Sequence, residues 1–127
     1  MSPKLGFQYV VLRCVPRVDR EEFVNVGVVV YCQSAGFLEA RCHVNRARLG
    51  AVSSEIDMDA VCSALDAIAA LCRGDESAGS PGRTDMGTRF GFVKAPRSTV
   101  VQPGPVHGGL TDDPARQLDH LLMTLVT

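Results

Sequence analysis

The chain has 127 residues, 46% of them apolar and 21% charged, and a net charge of −1. That length suits one domain, spanning residues 1–127, whose core needs no disulfide or metal staple. A near-neutral balance leaves no global field to draw the chain to nucleic acid or anionic lipid.

Residues 1–6 hold a single Lys and no small-residue cleavage site, so they do not read as a signal peptide. No stretch approaches the roughly 18 consecutive apolar residues of a membrane span. The cysteines, Cys14, Cys32, Cys42, Cys62 and Cys72, are odd in number and sit in apolar sequence. Reduced thiols in the cytoplasm are the simplest reading.

In chain order, residues 7–15 form an apolar, β-branched run that reads as a buried strand, ended by Pro16. A charged link, residues 17–22, leads to a second strand over residues 23–32. There Val24, Val26, Val28 and Val30 alternate onto one face, and Asn25, Gly27, Val29 and Tyr31 onto the other. A glycine inside a strand predicts a bulge or the close approach of another group at Gly27. Residues 37–44 alternate again, with Leu38, Ala40, Cys42 and Val44 inward.

A helix follows over Met58–Arg73, capped by Asp57 and stopped by Gly74, with Val61, Leu65, Ile68 and Cys72 at helical spacing. Residues 75–87 are rich in Gly, Ser and charge without periodicity, and read as a mobile loop. Residues 89–93 and 98–102 are short strand candidates, and the proline- and glycine-rich stretch 103–109 reads as irregular. Asp113 before Pro114 opens a last helix whose buried stripe is Leu118, Leu121, Leu122 and Leu125. The expected fold is α+β: a mostly antiparallel sheet, made of a three-strand N-terminal meander and the later 98–102 strand, covered on one face by two helices.

Two polar clusters stand directly against core-forming sequence. The first is the link with Arg17, Arg20 and Glu22, followed by Asn25, which must find hydrogen-bond partners if buried. It either pins its strand to a neighbouring element or faces a ligand. The second holds Lys94, Arg97, Ser98 and Thr99, where a guanidinium beside hydroxyls suits a carboxylate or phosphate. The bland alternative is an Arg97 ion pair to Glu21, Glu22 or Asp112. His107, in a glycine-rich setting before Asp112 and Asp113, has acid-base character, but one His with adjacent carboxylates is a weak metal signal, and no metal is expected. No G-x-G-x-x-G, P-loop or nucleophile elbow is present, and no cofactor is expected.

At these residues the chain resembles a bacterial family known only as a domain of unknown function, numbered three-zero-three-seven. The likeness lies in Tyr9-Val10-Val11-Leu12-Arg13, Pro16-Arg17, Arg20-Glu21-Glu22-Phe23-Val24-Asn25-Val26-Gly27-Val28-Val29-Val30, Ala95-Pro96-Arg97-Ser98 and Gly109-Leu110-Thr111-Asp112-Asp113-Pro114. Glu21 departs from it, since the family type has Gly after the Arg. The resemblance implies no established activity. It implies a companion protein encoded beside kinases similar to the HipA toxin kinases.

The leading expectation is a non-enzymatic binding or regulatory module that docks a partner protein, a HipA-like kinase by resemblance. Its binding residues would be Arg17, Arg20, Glu22, Asn25, Arg97, Ser98, His107 and Asp112, brought together as one polar centre. The alternative is an enzyme acting on a phosphorylated or nucleic-acid substrate, with Arg17, Arg20 and Arg97 holding phosphate and Glu22, His107 and Asp112 handling protons or a divalent metal. A homo-oligomer built through an exposed sheet edge is a third reading.

Overall fold

The structure, a computed structural model, describes residues 3–97 and 99–127; Ser98 lies outside them. It is α+β, as the residue pattern predicts. The strands are β1 (Leu5–Cys14), β2 (Val24–Cys32), β3 (Phe37–Cys42), β4 (Val101–Pro103) and β5 (His107–Thr111). The helices are α1 (Arg46–Val52), α2 (Met58–Arg73), α3 (Met86–Lys94) and α4 (Pro114–Leu125). None of the helices described is long and apolar enough to cross a membrane.

The three N-terminal strands form the expected meander, in the order β3-β2-β1. The far edge of β1 is shared: β5 pairs with Leu5 to Tyr9, and β4 with Leu12 to Cys14. All pairings are antiparallel.

A bulge decides which side chains face which layer. Leu12 opposes Gly27 and Arg13 opposes Asn25, so Val26 is the extra residue on β2. Its carbonyl is not stranded, because it accepts the His43 N–H at 2.9 Å. The single alternation expected along β2 therefore does not hold. Val24, Val26 and Val29 join one core, and Val28, Val30 and Cys32 join another.

The expected cover of two helices on one face is corrected in the same way. The α2 and α3 layer buries Val10, Leu12, Leu65, Ile68, Phe90 and Val93 on the first face. The α4 helix lies on the second, with Leu118 and Leu121 against Phe7, Val28 and Val30. Three adjacent valines, Val28 to Val30, fit a central strand buried on both sides rather than a sheet with one covered face.

Other elements depart from expectation for local reasons. The 89–93 strand candidate is the helix α3, because Asp85 caps it, accepting the Thr88 N–H at 2.7 Å, and Phe90 and Val93 are buried at helical spacing. A five-residue alternation of polar and apolar groups mimics a strand there. The 103–109 stretch ends in β5 instead of staying irregular. Gly109 makes this work: a Cβ at that position would lie 2.9 Å from the Phe7 ring, so the glycine lets the ring pass over the strand. Between α2 and α3, residues 75–87 contain two 3-10 turns, Glu76–Ala78 and Ser80–Arg83. Arg89 ties them to the end of α2 by donating to the carbonyls of Thr84 at 2.7 Å and Cys72 at 3.5 Å. Short α1, capped by Asn45, has no counterpart in the sequence reading.

Candidate functional site

The polar link between β1 and β2 forms one wall of an open cleft of about 390 Å³. Pro16 stops β1 from continuing its ladder, and the chain makes a 3-10 turn over Val18–Arg20. The turn closes through Glu21, whose N–H donates to the Val18 carbonyl. Glu21 is the one non-glycine among the described residues with positive φ, at 54°. The turn here is made with a side chain in the left-handed region, which favours glycine.

Pro16, Arg17, Arg20 and Glu22 line that wall, and residues 50–55, from the end of α1 and the link to α2, line the other. Arg17 donates from Nη2 to Asp19 at 2.6 Å, and Arg20 donates from Nε to Glu22. Both pairs are open to solvent, with the two arginine side chains 60% exposed. The Arg17 hydrogen bond holds the Asp19 carboxyl below its usual range, and the Asp19 hydrogen bond raises Arg17. Across the cleft, the Ser53 hydroxyl accepts the Glu55 N–H at 3.2 Å, and Glu55 adds to the negative field at Arg17. Arg17 and Arg20 face Glu22 and Glu55, so the lining is charge-balanced.

The remaining predicted site residues go elsewhere. Asn25 takes the structural option: its Nδ2 donates to the Leu125 carbonyl at 3.0 Å, pinning β2 to the last turn of α4. Its cross-strand neighbour Arg13 stacks on the Phe23 ring at 4.1 Å. Arg97 makes none of the ion pairs considered for it. Its guanidinium donates to the Phe92 carbonyl at 2.7 Å, at the end of α3, and lines a separate groove beside α2. His107 stacks on Tyr9, with ring centroids 5.0 Å apart, and Asp112 lies 3.9 Å from Lys4. Lys4 precedes β1 and Arg17 follows it. Ten strand residues at about 3.3 Å each put the two ends roughly 30 Å apart. Asp112 thus lies at the far end of β1 from the arginine link, and His107 sits opposite Tyr9 at the middle of the strand. These residues do not form one centre, so the composite arrangement required by the enzyme alternative is not assembled.

Two of the core cysteines, Cys14 and Cys72, are held as thiols by burial. Burial raises the Cys14 thiol and pushes Cys72 up to about 12. The part of the site that the sequence reading missed is the second wall, where Ser53, Ser54 and Glu55 follow an unexpected helix. The Asn45 cap and the paired serines were the available signals.

A family model described as "Protein of unknown function (DUF3037)" matches residues 9–126. The chain belongs to this family. The match runs from β1 through α4 and includes both walls of the cleft. No curated protein and no solved structure matches the chain. Membership of the family brings no activity with it, so the function has to be argued from the cleft itself.

Proposed function

We propose that this family member is a non-enzymatic binding or regulatory module of the cytoplasm. It docks a partner protein through the cleft between the β1–β2 link and the α1–α2 link. The reading is carried by two guanidiniums at one open cleft, each held, among the described residues, by a nearby acid of the same link. Solvent screens such pairs strongly, so exchanging Asp19 or Glu22 for a carboxylate or phosphate on the partner loses little. In the partner-bound state the same contacts lose solvent and gain strength, and the guanidinium fork fits two oxygens at once. Ser53 and Ser54 add hydroxyls on the facing wall. The sequence resemblance supplies the candidate partner, a kinase similar to the HipA toxin kinases.

Co-expression with such a kinase tests the reading. The chain is expected to co-purify with it, and Arg17→Ala and Arg20→Ala are each expected to weaken the complex roughly tenfold. Glu22→Gln should strengthen it by releasing Arg20. A complex insensitive to all three variants and to salt, or no complex at all, overturns the proposal.

A further inference from the structure

Among the described residues the sheet has three strand edges, and one of them is left without protection. On β3 the outer positions carry Glu39 and Arg41, and charged side chains discourage pairing at an edge. The β4 strand has three residues and ends on Pro103. The β5 strand has neither device: His107-Gly108-Gly109-Leu110-Thr111 contains no proline and no carboxylate, lysine or arginine. Its one ladder is to β1, so among the described residues its other side is open. Its first four residues are exposed, and Leu110 is 69% exposed.

We propose that β5 is a self-association edge at which a second copy of this chain adds antiparallel. The geometry that selects a second copy is self-complementary. With a two-fold axis through Gly109, Leu110 lies directly across from the partner's Gly108 on the same face of the sheet. On its inner side Leu110 opposes Gly6, where a Cβ would meet nothing within 4 Å. Each leucine thus has a glycine on both flanks and covers backbone that would otherwise face water. In this register His107 opposes the partner's Thr111, so no like charges meet. The result is one sheet running continuously through both copies. Five paired residues per copy bury less than the roughly 800 Å² per partner of a permanent interface. The dimer is therefore reversible and concentration-dependent.

Analytical ultracentrifugation with hydrogen exchange tests this. The wild-type chain is expected to shift from monomer to dimer with concentration, and amides of residues 107–111 should gain protection as it does. Leu110→Lys and Leu110→Glu should each remain monomeric. Their mixture should regain the dimer, because the two side chains are diagonal neighbours across the axis. Arg17→Ala, which tests the cleft, should leave the dimer unchanged. A chain that stays monomeric at millimolar concentration overturns the proposal. So does a dimer that forms equally well with Leu110→Lys, or one whose protection appears on β3 or β4. Strand addition by an unrelated extended peptide in place of a second copy would also overturn it.

Discussion

Glu21 holds the turn beside the cleft with φ at 54°, a region where a Cβ crowds the following carbonyl by about 1–2 kcal/mol. Glu21→Gly removes that penalty but adds freedom to the unfolded chain, so the net gain expected is about 0.5–1 kcal/mol. Urea unfolding measures it; a loss of stability would mean the Glu21 side chain holds something in place. Gly27 has the opposite sensitivity. A Cβ there would sit 3.0 Å from Cys42 Sγ, 3.1 Å from the Arg41 carbonyl oxygen and 3.3 Å from Leu12 Cδ1. Backbone cannot give way as a side chain tip can, so Gly27→Ala should cost roughly 1–3 kcal/mol in the same measurement. Both halves of the sequence reading hold at Gly27, which stands next to the bulge and under a close neighbour. Asn25 was undecided from the sequence because its partner, the Leu125 carbonyl, lies 100 residues away.

Helices with a cap at one end and glycine or proline at the right place were readable in the sequence. The bounds of α2 follow from Asp57 and Gly74, and the start of α4 from Asp113 and Pro114. The α3 helix was not, since Gly87 and Gly91 weaken its helical signal and its buried residues are few. Its cap carries a pH dependence. Hydrogen bonding from the Thr88 backbone N–H and then from its side chain lowers the Asp85 carboxyl pKa. A lowered folded-state value means the cap's contribution is fully present above the unfolded carboxyl value of about 3.9. It is lost as pH falls through the lower folded value. Amide exchange at Thr88 should accelerate in that acid range relative to the rest of α2 and α3. Asp85→Asn keeps a neutral acceptor and should remove the acid step; an unchanged acid step would assign it to another group.

At the scale of the molecule, α4 is held to the sheet by its apolar stripe, and its end is held by two hydrogen bonds, one from β2 and one from α1. Asn25 donates to the Leu125 carbonyl at 3.0 Å, and Arg48 donates to the Val126 carbonyl at 2.7 Å. Asn25→Ala and Arg48→Ala should each destabilise by about 1 kcal/mol. Faster exchange should be confined to the last turn of α4. Additive losses would identify two independent tethers. The first wall of the cleft was legible because charge next to a strand end stands out in any sequence. The second wall was not, because a seven-residue helix with one buried leucine leaves almost no periodic trace. The expected joining of Arg17 with His107 and Asp112 failed because β1 lies between Arg17 and Asp112, and because His107 pairs opposite Tyr9 at the middle of that strand and stacks on its ring. The extra residue in β2 has a larger reach than its size suggests. Because Val26 shifts the phase of the strand by half a pleat, a single valine decides which neighbours are inside and which are outside for everything that precedes it. Were Val26 to pair with Arg13 in an unbroken ladder, Val24 would turn toward α4 and Asn25 toward α2, so the bulge alone lets the two ends of β2 serve both hydrophobic layers.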